Sequence, residues 1–353
     1  MKALLLSEYN HLEITDLPIP SPAHDELLIQ VAACGICGSD VHGFDGSTGR
    51  RIPPIVMGHE AAGTVLQVGS SVSRFKVGDR VTFDSTVFCG ACAFCLQGDI
   101  NLCNNRQVLG VSCGEYSRAG AFADFLTVPE RISFALPDEL SFAEAAMLEA
   151  VSVALHGVAV SQMQGGETVL VIGAGMIGLL LLQSARAAGA ARVVIADVDP
   201  TRLELAASLG ADETFLGSGA DLVERIQAMT NNTGVDLVLE AVGLNDTIAT
   251  AIDAVRKGGT VTLVGNVTPN VTLPLQKVVS RQIRLQGSCA SAGEYPLAMK
   301  LIAEGKIKVA PLITAIAPLA DGPAWFHRLH SREPNLMKIV IDPRLDSSSE
   351  PTK

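Results

Sequence analysis

The chain has 353 residues, 48% of them apolar and 18% charged, and its 26 Lys plus Arg against 37 Asp plus Glu leave a net charge of −11. Such a composition excludes a long disordered architecture, and the acidity argues against a nucleic-acid surface, which relies on Lys and Arg to neutralise phosphates. At roughly 100–200 residues per domain, the length suggests about two domains, each large enough to bury a core.

The N-terminal Met1–Leu6 turns polar at Ser7-Glu8, so it reads as a first strand and not as a secretory signal. Over the first 130 or so residues, short β-type segments such as 27–31 and 63–68 alternate with Gly, Pro, Ser and Asp clusters, an all-β pattern with loops. The texture changes at Pro137. Ser141 can cap a helix with Glu144 three residues on, and 143–160 follows as an apolar helical stretch. From Thr168 the rhythm is strand then helix, with strands expected at 168–172, 192–196, 235–239 and 259–264. Continuous apolar strands joined by helices describe a doubly wound parallel sheet, so the fold class is α/β with a β-rich first part. The last 60 or so residues return to mixed texture, and Ser347–Pro351 reads as a frayed tail. The longest apolar run, Val169–Leu182, has 14 residues and three glycines, too short to cross a bilayer of about 30 Å as a helix. No membrane contact is expected, and a cytoplasmic location with reduced thiols is.

Gly173-Ala174-Gly175-Met176-Ile177-Gly178 follows a strand directly and opens a helix, the context that separates a dinucleotide fingerprint from a glycine-rich turn. Gly173 allows the tight turn, Gly175 lets backbone approach a pyrophosphate, and Gly178 permits close helix–strand packing. The helix N-terminus, at Met176 and Ile177, supplies free N–H groups for the phosphates. Asp197 ends the second strand 19 residues after Gly178. There an acidic side chain accepts from the adenosine ribose hydroxyls and repels a 2′-phosphate, which favours NAD over NADP. Arg202 lies a little further on, where it could meet a phosphate, stack on adenine or face solvent.

Spacing also accounts for the eight cysteines. Cys89, Cys92, Cys95 and Cys103 place four thiols within 15 residues, 89–103, as a closed structural zinc site requires. An iron–sulfur cluster is the chemical alternative, and a reducing compartment disfavours two disulfides. A sparser set joins Cys37 to His59 and Glu60. Singly these read as a small buried thiol, a core histidine and a surface carboxylate; together, mixed S, N and O donors suit a catalytic zinc with an open position. Cys34 forms a C-x-x-C with Cys37 but precedes no βαβ unit, so we read it as structural rather than redox-active. Cys113 and Cys289 acquire no role.

The residues resemble the zinc-containing medium-chain alcohol dehydrogenase family, closest to its sorbitol (polyol) dehydrogenase branch. The likeness spans nearly the whole chain and rests on Gly35–His42, Gly58-His59-Glu60, Val77–Val81, the four-cysteine lobe at about 88–104, Gly120–Phe125, Leu148–His156, the glycine fingerprint, Gly305-Lys306 and Pro311–Thr314. It implies a GroES-like catalytic domain from both chain ends, 1–152 and 292–353, with a Rossmann NAD-binding domain, 153–291, inserted between them. It also implies direct zinc ligation by Cys37 and His59, and acidic positions at Glu60 and Glu149 that bind the metal directly or through water. Asp40 would hold the ligand histidine from behind, while Ser39 and His42 would relay the alcohol proton to solvent. Two zinc ions per chain, NAD, and a homotetramer or homodimer complete the expectation.

By this resemblance the chain transfers a hydride from a secondary alcohol, a polyol, vicinal diol or sugar derivative, to NAD and leaves the ketone. Zinc acts as the Lewis acid that makes the alcohol proton easy to remove near neutral pH. Threonine- or sugar-phosphate-type oxidation shares this metal logic and remains an alternative, as does a non-enzymatic NAD or redox sensor on the same scaffold. The joint presence of Cys37, His59 and Glu60 disfavours a metal-free enone or quinone reductase. Three departures leave the substrate open. Gly43 stands where the branch often has an aromatic residue, Ala290-Ser291 replaces an Arg-Tyr pair, and Glu149-Ala150 replaces Glu-Pro. Arg118, in the long segment Cys113–Arg118, could meet an anionic substrate or simply face solvent.

Overall fold

Strand Lys2–Glu8 buries Ala3, Leu4 and Leu6 and pairs antiparallel with His11–Asp16 and Ile55–Val56, so the apolar start of the sequence is a strand. The computed structural model describes residues 1–113 and 116–346; the tail expected at Ser347–Pro351 lies outside them, as do Gly114 and Glu115. Two units emerge: Met1–Glu149 with Tyr295–Ala303 and Val309 onward, and Ala150–Glu294 with Glu304–Lys308.

The first unit is built on a seven-stranded sheet. Its order is Ser133–Ala135, Arg80–Phe83, Glu60–Val68, Glu26–Gly35, Lys338–Asp342 and Ile313–Pro318, and Phe125–Pro129 also pairs with Glu26–Gly35. Leu27, Ile29, Val65, Phe83, Phe122 and Ile339 belong to its core. Glu26–Gly35 is covered on both faces, which is why its sequence is a near-continuous apolar run instead of an alternating one. At its end Gly35 pairs with Glu60 on one side and with Val340 on the other. A strand from the chain's far end is thereby brought beside the Gly58-His59-Glu60 turn.

The second unit contains a six-stranded parallel sheet in the order Glu213–Leu216, Arg192–Asp197, Thr168–Ile172, Val235–Glu240, Val255–Leu263, Arg284–Gly287. The sequence reading found the four central strands; the strand expected at 259–264 begins earlier, at Val255. The two unforeseen strands, Glu213–Leu216 and Arg284–Gly287, are the sheet's edges, where burial is only partial and the apolar signal is correspondingly weak. The capping box at Ser141 and Glu144 forms as expected. The apolar stretch behind it is two helices, Phe142–Ala146 and Leu148–Val160, because the N–H of Met147 turns back to Glu144 O and closes the first. No helix among the described residues is long and apolar enough to cross a membrane.

Candidate active site

Cys37 caps the short helix Gly38–Phe44, and Asp40 in its first turn reaches back to the Cys37 N–H at 3.2 Å. His59 and Glu60 arrive from the turn at Gly58, whose φ of +96° and contact with Cys34 Sγ and Phe122 leave no room for a side chain. One donor atom each from Cys37, His59 and Glu60 lies within 4.8 Å of the others. Thiol, imidazole and carboxylate donors gathered in this way fit a zinc ion with an open position. Nδ1 of His59 is 3.3 Å from Asp40 Oδ1, which leaves Nε2 as the metal-facing nitrogen. Ser39 Oγ donates to Cys37 Sγ at 3.2 Å. His42 is half-buried on the same helix, and its ring makes no hydrogen bond among the described residues.

Glu149 is not within that close triad, although it feels the charges of His59 and Glu60. Burial is the main force pushing its carboxyl up to about 7, aided by Glu60 and Asp84 and opposed by His59 and Lys338. Ser85 Oγ donates to its Oε1 at 3.4 Å. Cys34 is fully buried and its thiol is pushed well up by burial, as suits a structural residue.

Two buried cations escaped the sequence reading. Lys338 Nζ donates to Glu60 Oε2 at 2.5 Å and to Ile36 O at 3.1 Å. The pair crosses the place where a side chain on residue 35 would stand, since a Cβ there would meet Glu60 Oε2 at 2.3 Å. Arg51 Nη2 donates to Asp40 Oδ1 at 2.9 Å and to Ser39 Oγ at 3.0 Å. Burial would raise the Asp40 carboxyl, but the charges of His59 and Arg51 outweigh it and hold the group at about 2. Neither cation carries a local signal: Lys338 opens an apolar strand from the far end of the chain, and Arg51 follows Arg50 in a polar loop.

The four thiols of the lobe also converge, all within 4.8 Å of one another and none in a disulfide. Cys92 caps helix Ala93–Gln97, which turns Cys92 Sγ and Cys95 Sγ to 3.5 Å, and Cys103 Sγ accepts the N–H of Cys89 at 3.3 Å. Backbone N–H groups of Ala91 and Cys92 draw the Cys89 thiol down to about 6. Burial instead pushes the Cys95 thiol up to about 12, so it is the convergence of four sulfur donors that fits a tetrahedral site.

In the second unit the strand Thr168–Ile172 runs into Gly173, at φ +96°, and helix Met176–Ala187 begins with Gly175 as its cap. A Cβ on Gly178 would stand 1.7 Å from Gly173 O, so strand and helix touch there. At Gly175 nothing lies within 4 Å of the Cβ position, and that open backbone beside a helix start fits a pyrophosphate. Asp197 Oδ2 accepts the Ala174 N–H at 2.6 Å, and its Oδ1 accepts that of Asp199 at 2.9 Å. Arg202 is exposed and 3.5 Å from Asp199. Arg118 is instead engaged in the first unit with Glu26 Oε1, at 2.5 Å. That ion pair, with the side chain 21% exposed, gives Arg118 a partner within the first unit.

Comparison with known proteins agrees. Residues 23–138 match the alcohol dehydrogenase GroES-like domain and residues 177–304 the zinc-binding dehydrogenase family. The chain is 34% identical to sorbitol dehydrogenase of Bacillus subtilis, over 97% of each. Galactitol-1-phosphate dehydrogenase from Escherichia coli superposes with a TM-score of 0.89 at 27% identity, over 97% of this chain and 100% of that one. A structure from Sinorhizobium meliloti assigned as a zinc-binding dehydrogenase and bound to NADP gives 0.87 at 31%, over 97% and 99%. With a GroES-like part, a Rossmann-like parallel sheet and relatives of this kind, the chain belongs to the zinc-type medium-chain polyol dehydrogenase family and is an oxidoreductase of the alcohol dehydrogenase class, working with zinc and a nicotinamide cofactor.

Proposed function

We propose that the chain oxidises a secondary alcohol of a polyol, vicinal diol or sugar derivative to the ketone and passes the hydride to NAD. The observation that carries this reading is the convergence of Cys37, His59 and Glu60 donors within 4.8 Å. When bound, zinc supplies Lewis acidity toward the alcohol oxygen and the nicotinamide supplies the hydride acceptor. In this reading Cys37 and His59 hold the metal, and Glu60 and Glu149 bind it directly or through water. Asp40 fixes the orientation of His59 through Nδ1, and Ser39 receives the alcohol proton, with His42 as its route to solvent. Support for the Ser39 role comes from its hydroxyl lying 3.2 Å from Cys37 Sγ.

Gly173, Gly175, Gly178 and the N–H groups of Met176 and Ile177 take the pyrophosphate, Asp197 takes the adenosine ribose, and Arg202 flanks it. Cys89, Cys92, Cys95 and Cys103 hold a second, structural ion, which makes two zinc ions per chain, as the two donor groups suggest. Residues 1–152 and 292–353 form the catalytic domain and 153–291 the NAD-binding domain. We place the chain in the cytoplasm, in keeping with its free thiols, and as a homotetramer or homodimer. The exposed Leu275 and Val279 supply apolar surface for such contacts. The likeness to galactitol-1-phosphate dehydrogenase keeps a sugar-phosphate substrate as the second reading. A panel of free polyols, sugar acids and sugar phosphates, followed by NADH absorbance, separates the two.

Cys37→Ser and His59→Ala should each abolish turnover and lower the zinc content by one ion per chain, while NADH fluorescence titration still reports binding close to that of the parent. Full turnover by a variant lacking that ion would overturn the proposal.

A further inference from the structure

The side chain of Arg51 is only 4% exposed, although it sits in the loop between helix Gly38–Phe44 and strand Ile55–Val56. A guanidinium is costly to bury unless its donors are used. Here a single nitrogen, Nη2, reaches Asp40 Oδ1 at 2.9 Å and Ser39 Oγ at 3.0 Å. Both of those groups touch the donor set: the same Asp40 oxygen is 3.3 Å from His59 Nδ1, Asp40 Oδ2 accepts the Cys37 N–H at 3.2 Å, and Ser39 Oγ donates to Cys37 Sγ at 3.2 Å. Without Arg51, Asp40 would be a fully buried carboxylate whose Oδ1 has only His59 to face, and the Ser39 hydroxyl would lose the donor that orients its lone pairs.

Gly43 makes room for this arrangement. Its φ lies outside the left-handed region, so the backbone there does not demand glycine. A Cβ on it would, however, stand 2.5 Å from Arg51 Cδ and 2.8 Å from Cγ. The stem of Arg51 thus runs across the bare Cα of Gly43 on its way to the site.

We propose that Arg51 is a positioning residue of the metal site, locking Asp40 behind His59 and Ser39 beside Cys37, and that Gly43 is glycine in order to admit it. This rests on the reading of Cys37, His59 and Glu60 as the catalytic zinc set. Arg51 contacts none of the three metal-donor side chains directly; it acts through Asp40 and Ser39, on how firmly the two ligands hold the ion. Partners that orient metal ligands typically govern metal affinity or activity by about 10–100-fold.

The test is chelator-driven zinc release from the zinc-loaded full chain, followed with a colorimetric zinc indicator. Cys37→Ser identifies which release phase belongs to this site. In Arg51→Met that phase should accelerate about 10–100-fold, while the phase of the four-cysteine lobe and the far-ultraviolet circular dichroism stay as in the parent. Arg51→Lys, which keeps a charge and donors, should recover part of the loss. Gly43→Ala, acting by displacing Arg51, should resemble Arg51→Met, and the double variant should be no worse than Arg51→Met alone. If Arg51→Met does not fold, Arg51→Lys and Gly43→Ala decide by the same phase. Parental release in the folded Arg51 and Gly43 variants, even with a lowered melting temperature, overturns the proposal. Unchanged zinc content in Cys37→Ser overturns the underlying site reading instead.

Discussion

Glu149 illustrates how environment, more than identity, sets a residue's chemistry. Burial among like charges lifts its carboxyl to about 7 from the 4.5 of a free glutamate. Over the interval between those values the folded chain keeps a proton that the unfolded chain has already lost. In chelator-treated, metal-free protein, stability should therefore fall as pH rises from about 5 to about 7. Glu149→Gln, with nothing to titrate, should flatten that dependence, as melting temperatures at about pH 5 and about pH 8 will tell; equal slopes in both proteins would contradict the assignment. Asp197 makes a different case. Its carboxylate faces the glycine loop through the Ala174 N–H; if it takes the adenosine ribose as proposed, Asp197→Ala should raise the Michaelis constant for NAD at least about tenfold and shift the ratio of NAD to NADP efficiency toward NADP, since roughly 1.4 kcal/mol of lost contact is worth that factor. An unchanged ratio of NAD to NADP efficiency would refute it.

At the scale of elements, the strand–turn–helix at Thr168–Ala187 was fully legible, because its glycines each answer a steric demand that acts within a few residues. Gly178→Ala should show how tight that demand is. With a Cβ 1.7 Å from Gly173 O, the helix must shift away from the strand, at a cost of about 3 kcal/mol. A denaturant titration would register the loss, and NADH binding should weaken along with it; a midpoint within error of the parent would mean that the turn yields easily. The box at Ser141 and Glu144 was equally legible, being a contact over three residues. The break at Met147 was not, since both flanks are apolar helix formers and only the turn of its N–H toward Glu144 O distinguishes them.

The first unit is held as one molecule by pairing between distant parts of the chain. Strand Lys338–Asp342 lies against Glu26–Gly35, and Lys338 meets Glu60 across 278 residues of sequence. Both side chains are nearly inaccessible, at 3% and 1%, so removal of one partner strands the other's charge. Lys338→Met should cost about 3–5 kcal/mol in a denaturant titration, and adding Glu60→Gln should restore most of it, because the second change removes the orphaned charge. Failure of the double variant to recover would indicate that Lys338 acts through packing alone.

The sequence by itself determined what depends on short spacing: the four-thiol lobe, the glycine fingerprint with its acidic strand end, the capped helix at Ser141, and the central strands, whose burial on both faces demands uninterrupted apolar runs. It also named Cys37, His59 and Glu60, by donor chemistry and by resemblance, without supplying their contact. Only the tertiary structure decided which charges surround that set. Arg51 and Lys338 reach it from a polar loop and from the far end of the chain, and Arg118 finds its partner in Glu26, 92 residues away in sequence. The edge strands Glu213–Leu216 and Arg284–Gly287 were likewise hidden, because an edge needs little apolar cover. Burying a charge is favourable only when its partner is brought to it, and the partners here are supplied by strand pairing and loop packing, which leave no periodic mark on the chain.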